Sequence, residues 1–464
     1  MIILDKISNF FSKKTITAPI RNKLMMSWSS EENFYKQRRE REKLRIKEDR
    51  KHVVYYFHSL SDPYSHLTIQ VIKKLIANFN IELEIMFISE PTGSFTPERA
   101  MYQKHCLKDS IEIAFWYNLE FDNKDYFSKE NERFAYKILD FFSDIKQDHY
   151  IDLIQKVSSL LWSNNSDVLM EIISGLSDKD KEALNGRNSE ITDRGNKKII
   201  DVEYYHSASF HYEGENYWGI DRIDHLENRL TELGLNKSLK STSIIIKSEK
   251  PKIDINKFKE KKDLLNIDFF PSLNSPYTYI SFKRVKNLIK DYPLNLSVRP
   301  VLPMLMRNMK IPTNKGKYIL SDAAREGRKY DSIIKNIYSP IGLPALKAYS
   351  LFPIMDSHEL GFKYLEQLTK ASFFDGINIG NEKYLMNLSN SFGLSWDLIK
   401  EELNNDAWKK ILEKNLTDMY KGNSWGVPTF KISNLDGSNP YYQWGQDRIW
   451  LIENEIIKRL VNHQ

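Results

Sequence analysis

The chain has 464 residues, of which 41% are hydrophobic and 28% charged, a composition typical of globular domains. It carries 68 Lys and Arg against 62 Asp and Glu, and no stretch approaches the roughly 18 uninterrupted apolar residues that a membrane span requires. A single cysteine, Cys106, excludes an intramolecular disulfide, a CxxC redox pair and a Cys-rich metal site. We therefore expect a protein of several domains in the cytosol, with no secretory signal at its start.

Positive charge is concentrated near the N-terminus, where residues 36–51 hold nine Lys or Arg against four Asp or Glu. A protein that reads nucleic acid usually spreads basic charge over a folded face, so we expect a basic arm over residues 1–51 and no nucleic-acid partner. The arm is predicted to be a solvated helix that begins at Ser29, with Glu32 completing a capping box. A tether to a membrane surface or to nucleic acid is the alternative, and salt-sensitive binding would reveal it.

The next part of the chain predicts a mixed α/β unit. Residues 53–76 give a short apolar strand, a tight loop that ends in Pro63-Tyr64, and a helix with apolar residues at helical spacing. A second apolar strand follows, which favours parallel pairing of the two strands. The remaining elements are a helical block, a strand-like stretch and a last helix, at 108–175, 202–212 and 217–230.

The same series of elements recurs once, which predicts a tandem duplication and not a solenoid. The second copy has its first strand and helix at 265–289, its helical block at 321–421 and its last strand and helix at 427–456. We therefore predict two homologous α/β domains. Their predicted bounds are 52–235 and 263–464, joined by a Lys-rich linker at 236–262.

Three positions of the second copy are candidates for chemistry. Ser275 precedes Pro276 and is expected to cap a helix, where its hydroxyl and the free N–H groups suit a thiolate or a carboxylate. Pro428 precedes an apolar strand, where a cis bond from Val427 would leave the Val427 backbone available to a ligand. Asp447 opens the final helix, and it either caps this helix or receives an ammonium group.

These motifs, in this order and with a helical block between them, resemble the DSBA-like thioredoxin family. Ser275-Pro276-Tyr277, Gly426-Val427-Pro428-Thr429-Phe430 and Trp444-Gly445-Gln446-Asp447-Arg448 carry the resemblance. It is closest to the 2-hydroxychromene-2-carboxylate isomerases and kappa-class glutathione transferases. It covers about 265–460 well and 53–230 more loosely. The resemblance implies two thioredoxin-like folds, each with an all-helical insertion, and glutathione as the cofactor.

The resemblance also implies a mechanism. Ser275 would stabilise the glutathione thiolate, and the backbone of Val427, before a cis Pro428, would pair with the cysteinyl unit. The thiolate would add to an unsaturated electrophilic small molecule, allow rotation about a bond and leave again, which is isomerisation. If the sulfur stayed attached, the chain would be a transferase. Neither copy has a cysteine in the loop between its first strand and first helix, so disulfide exchange is not expected.

Further glutathione contacts are implied in the second copy. Gln446 and Asp447 resemble the pair that holds the γ-glutamyl end, and Lys315 lies in a lysine-glycine-x-tyrosine segment that helps bind glutathione. Asn308 resembles the upstream asparagine of the family, although its spacing is two residues short of the expected pattern. No metal is expected at this site.

The first copy departs from the pattern at two positions. Asp62 replaces the serine, and a carboxylate would repel a thiolate, while Ala208 replaces the proline of the predicted cis bond. We therefore expect a degenerate domain with a structural or regulatory role. A zinc site formed with Asp62 by His66, His206 and His211 is one alternative. A pocket for an amine instead of a thiol is the other.

Two main hypotheses for function therefore stand. The first is a cytosolic glutathione-dependent isomerase or transferase with its working site in domain two. The second is a non-catalytic thioredoxin-fold protein that binds peptides or proteins along its cis-proline edge. Since members of this branch resemble dimers of single domains, the two copies are also candidates for an internal pseudo-dimer.

Overall fold

A computed structural model of the chain describes residues 18–122, 125–163, 172–186, 190–238, 243–245, 248, 258 and 263–461. The chain divides into two compact units, Arg38–Glu249 and a second that combines Met1–Gln37 with Lys250–Gln464. We call them the first-copy unit and the second-copy unit. The predicted domain bounds stay predictions, and both the start of the arm (1–17) and most of the linker predicted at 236–262 lie outside the described residues.

The basic arm is helical, as predicted, but its cap was misplaced by one residue. Helix α1 (Ala18–Ser29) still includes Ser29, and α2 (Glu31–Lys47) follows after Ser30. The Ser30 hydroxyl accepts a hydrogen bond from the Asn33 N–H at 3.2 Å, so Ser30 and not Ser29 caps α2. Ser29 is the last residue of α1, so the first-turn N–H groups that need a cap belong to α2, and the residue directly before α2 is Ser30.

The arm is also less solvated than expected. Arg38 on α2 is only 8% exposed, and in the first-copy unit it forms ion pairs with Glu215 at 2.7 Å and Glu232 at 2.8 Å. Within the second-copy unit, apolar residues of α1 such as Trp28 pack against a buried cluster that includes Leu320. Part of the arm therefore takes part in the folded structure.

The first-copy unit contains a four-stranded sheet with the order β2-β1-β3-β4. Strands β1 (Val53–His58) and β2 (Glu82–Phe87) are parallel, while β3 (Ser209–Tyr212) and β4 (Glu215–Trp218) form an antiparallel hairpin next to β1. The described helices are α3 (Pro63–Ile69), α4 (Ile72–Asn78), α5 (Arg99–Tyr117), α6 (Lys129–Phe141), α7 (Gln147–Trp162), α8 (Asp178–Gly186), α9 (Ile191–Asp201) and α10 (Ile223–Glu232).

The second-copy unit repeats this sheet in the order β6-β5-β7-β8. Strands β5 (Leu265–Phe270) and β6 (Leu294–Val298) are parallel, and β7 (Thr429–Asn434) and β8 (Tyr441–Trp444) form the hairpin. The described helices are α11 (Pro276–Asp291), α12 (Thr313–Lys329), α13 (Leu343–Ser350), α14 (Phe352–Ser357), α15 (Gly361–Phe373), α16 (Glu382–Ser391), α17 (Trp396–Ile399), α18 (Ala407–Lys421) and α19 (Ile449–Val461).

The two units share their hydrogen bonding as well as their strand order. The N–H of Gly219 donates to the carbonyl of Ala208 at 2.8 Å, and the N–H of Gly445 donates to that of Pro428 at the same distance. In each unit a helical insertion separates the parallel pair of strands from the hairpin. The predicted fold, two α/β domains of one topology with helical insertions, is confirmed.

Aromatic side chains pack at the centre of the second-copy sheet and join the sheet to helix α11. Phe269 on β5 stacks on Phe430 of β7, with ring centroids 5.3 Å apart, and meets Phe282 of α11 edge-on. All three are buried, so the sheet and α11 form one core and the β5–α11 corner is rigidly supported. Among the described residues, no helix is long and apolar enough to cross a membrane.

Candidate functional site

The corner between β5 and α11 places Ser275 at a helix N-terminus, as the sequence predicted. Pro276 is the first residue of α11, where no backbone N–H is needed. Ser275 is 8% exposed, and its hydroxyl accepts a hydrogen bond from the Thr278 N–H at 3.1 Å. The helix therefore begins with a buried hydroxyl beside first-turn N–H groups, a setting that favours negative charge.

The same hydroxyl lies against the segment before β7. The peptide bond between Val427 and Pro428 is cis, which confirms the prediction. The Ser275 hydroxyl approaches the Val427 carbonyl at 3.4 Å, a long and therefore weak hydrogen bond. In the described part of the chain, the Val427 N–H has no hydrogen-bond acceptor. The fold thus brings together Ser275, Val427 and Pro428 from positions about 150 residues apart.

Gln446 and Asp447 open the last helix of this unit, but they face different surroundings. Gln446 is 1% exposed, and its amide NH₂ donates to Glu326 at 2.9 Å and to Asp447. Its amide oxygen accepts a hydrogen bond from Arg284 at 2.6 Å. Since the protein itself surrounds this amide, Gln446 holds its neighbour in position, and Asp447, which is half-buried, is the better candidate for ligand contact.

Lys315 lies on α12, buried against the segment that leads to the cis bond. It is 5% exposed, and its ammonium group lies 5.2 Å from the centre of the Trp425 ring. Burial lowers the pKa of Lys315 to about 8. The indole N–H of Trp425 is buried and has no hydrogen-bond partner in the described part of the chain. A buried cation therefore lies beside the ring of Trp425, whose unsatisfied donor is two residues before Val427.

Asn308 differs from the other predicted residues because no described hydrogen bond joins its side chain to this corner. It is exposed and has a left-handed backbone (φ 61°) at the end of a short helical turn, Met304–Arg307. Its neighbour Arg307 instead donates to the Trp425 carbonyl at 2.8 Å. Sequence reasoning missed Arg307, although its position directly before Asn308 could have drawn attention to it.

A buried polar network joins α11 to α12 next to the corner between β5 and α11. Tyr277 donates to Asp322 at 2.7 Å, and Arg325 contacts the other oxygen of the same carboxylate at 2.6 Å. Asp322 is only 1% exposed. Arg284, which reaches Gln446, belongs to the same helix pair and was also missed. The contacts of Tyr277 with Asp322 and of Arg284 with Gln446 left little signal in the sequence, because their partners lie 45 and 162 residues apart in the chain.

The corresponding corner of the first copy is closed by its own hydrogen bonds. Asp62 caps α3 by accepting from the Tyr64 N–H at 3.0 Å, and it also accepts from the Ser65 hydroxyl at 2.9 Å and the Ser207 hydroxyl at 2.7 Å. Burial raises the pKa of Asp62, although these hydrogen bonds oppose the shift. Ala208, in place of the proline, has a left-handed backbone (φ 53°). Three donors already satisfy this carboxylate.

The histidine alternative for the first copy gains no support from the geometry. Over the described residues, no three His, Cys, Asp or Glu side chains come together to hold a metal ion. His66 contacts the Ser158 hydroxyl at 3.0 Å, and His211 contacts Asn216 at 2.7 Å. The single thiol, Cys106, is buried, and burial raises its pKa, which makes it a poor nucleophile.

Comparison with known proteins agrees with this description. Residues 266–456 match the family model described as the DSBA-like thioredoxin domain. Together with the sheet order, this match identifies the segment as a DSBA-like thioredoxin domain. It covers less than half of the chain and does not include the first copy, for which the family resemblance stays a prediction. The search of curated proteins found no match.

Several solved structures are similar to parts of this chain. One is 2-hydroxychromene-2-carboxylate isomerase, at 18% identity over 43% of this chain and 97% of that chain, with a TM-score of 0.36. Another is a cytosolic disulfide reductase of Pseudomonas aeruginosa, at 16% identity over 42% of this chain and 99% of that chain, with a TM-score of 0.33.

Proposed function

We propose that the second-copy unit is a glutathione-dependent isomerase or transferase that acts on an unsaturated electrophilic small molecule. The observation that carries this proposal is the meeting of Ser275 with the edge formed by Val427 and Pro428. A hydroxyl at a helix N-terminus suits a sulfur anion, and a backbone N–H that has no acceptor among the described residues suits a peptide backbone. Glutathione offers both groups, and a cytosolic location is part of the proposal.

The surrounding side chains fit glutathione in charge and in hydrogen bonding. Trp425 offers a buried indole N–H without a partner in the described part of the chain, and Lys315 adds a buried cation beside it. Either group would suit a carboxylate of the tripeptide. Asp447, held by Gln446, would suit its ammonium group. Ser275 would receive the sulfur and Val427 the cysteinyl backbone.

The proposed chemistry uses these residues as a site that favours an anion. Bound glutathione supplies a thiol whose thiolate can add to an electrophilic double bond; loss of the sulfur afterwards is isomerisation, and its retention is transfer. The Ser275 hydroxyl is held only weakly by Val427 at 3.4 Å, so it can turn towards a bound sulfur. The helix N-terminus favours the deprotonated form in the same place.

The second candidate function is recognition of peptides or proteins without catalysis. The Val427 N–H has no acceptor in the part of the chain that the structure describes, which favours this function because such a group can pair with an extended peptide backbone. The two functions differ in their need for a thiol. A ligand that keeps the peptide but blocks the sulfur therefore separates them.

The test is calorimetric titration of the full chain with glutathione and with S-methylglutathione. We expect glutathione to bind in the micromolar-to-millimolar range and Asp447→Ala to weaken binding about tenfold or more, because a charge-assisted hydrogen bond is lost. Ser275→Ala should remove the preference for the free thiol. Asp221→Ala, the matched change in the first copy, should have no effect.

Two outcomes would contradict the enzyme hypothesis. Absence of binding at millimolar glutathione would exclude the cofactor. Equal binding of both tripeptides by the unmodified chain would show that the sulfur is not recognised, and peptide recognition would then be the better explanation.

A further inference from the structure

A cleft of about 420 Å³ opens in the first-copy unit, next to the corner at the end of β1. Its volume lies within the range of pockets that hold small molecules. Ser61, the residue before Asp62, forms part of its wall. The charged residues that line it are Glu90, Arg99, Lys129, Glu132, Arg133 and Lys137.

The charged groups of this cleft leave an excess of positive charge. Four cations and two carboxylates line it, so their formal charges sum to +2. Each carboxylate already pairs with one cation, Glu90 with Arg99 and Glu132 with Lys129. Lys137 and Arg133 instead donate to backbone carbonyls, at 3.0 and 3.3 Å, and no described carboxylate pairs with them. Two positive charges of the cleft therefore have no carboxylate partner among the described residues.

The spacing of these cations on α6 lowers the stability of the helix itself. Lys129, Arg133 and Lys137 follow one another at intervals of four residues, so like charges are neighbours on one face of the helix. Glu132 already offsets Lys129, but Arg133 and Lys137 form a like-charge pair that destabilises the helix unless an anion offsets it. The N-terminus of α9 meets the same cleft through Ile191 and Thr192 and adds the positive end of an 11-residue helix.

We propose that this cleft binds a small dianion, a dicarboxylate or a phosphate group, with Arg133 and Lys137 as its charge partners. The amine expected as an alternative for the first copy is a poor match, because three donors already satisfy Asp62 and the net charge of the cleft is positive. The site lies in a different unit from Ser275, so it does not depend on the glutathione proposal.

The experiment titrates the full chain with glutarate, inorganic phosphate and the neutral control glutaramide at low ionic strength. The test variant is Arg133→Gln with Lys137→Gln. A matched control, Lys156→Gln with Lys179→Gln, removes two exposed charges from the same unit but outside the cleft. All four side chains are at least partly exposed, so we expect every variant to fold, and circular dichroism checks this.

We expect glutarate or phosphate to bind, the test variant to weaken this binding tenfold or more, the control variant to leave it unchanged and glutaramide not to bind. The tighter of the two anions assigns the ligand as a dicarboxylate or a phosphate. Equal affinity in the test and control variants, or no binding of either anion at millimolar concentration, would overturn the proposal. Ser275→Ala should leave this binding intact.

Discussion

Lys315 should lose its proton at a far lower pH than an ordinary lysine. Burial beside Trp425 lowers its pKa to about 8, against an ordinary value of about 10.4. At pH 7 about a tenth of Lys315 would then be neutral, compared with about 0.04% of an exposed lysine. The charged form still dominates at neutral pH, so Lys315 can bind an anion there, whereas only about a tenth of it is charged at pH 9.

Site-resolved acetylation with acetic anhydride across pH 6–11 measures this directly, because only the neutral amine reacts. We expect the midpoint for Lys315 near pH 8, whatever the absolute rate of a buried amine. A midpoint above pH 10 would refute the argument that burial controls this group.

The same shift predicts a pH dependence of ligand binding. An anion stabilises the ammonium form, so affinity should fall as pH rises through 8, by about tenfold between pH 7 and pH 9 if the bound lysine stays protonated. S-methylglutathione is the suitable ligand, because it has no thiol to titrate. Lys315→Met should remove this part of the pH dependence, and an identical profile in both proteins would place Lys315 outside the site.

Two further predictions concern stability. Burial lowers the pKa of His58 to about 3 and that of His66 and His211 to about 4. When the pH falls below 6.5, these histidines therefore bind protons in the unfolded chain before they do so in the folded one. The free energy of unfolding of the first-copy unit should thus fall by about 2 kcal/mol for each histidine at pH 5. Hydrogen exchange at pH 7 and 5, corrected for intrinsic rates, measures this loss, and unchanged protection would contradict it. Asp322→Ala leaves Arg325 buried without its carboxylate, so the free energy of unfolding measured in urea should fall by about 3 kcal/mol. The double variant Asp322→Leu with Arg325→Met should recover most of that loss. Equal losses in both variants would argue against the ion pair as the cause.

The sequence was sufficient for features that depend on neighbouring residues. A serine directly before a proline specifies the cap of α11, because the capping hydroxyl and the missing N–H are local properties. The bond before Pro428 was predictable as cis from its place before a strand within a recognisable motif. The repeated order of strands and helices likewise predicted two sheets of one topology, since apolar periodicity is written along the chain.

Tertiary structure decided which way the longer polar side chains point. The ligand contact of Gln446 stays a prediction, but the fold places its amide against Glu326 and Arg284, which are 120 and 162 residues away in the chain. Arg38 was read as part of a solvated arm, but it is buried because Glu215 and Glu232 meet it in the fold. A buried charge or amide needs partners, and the sequence does not show which distant residues supply them.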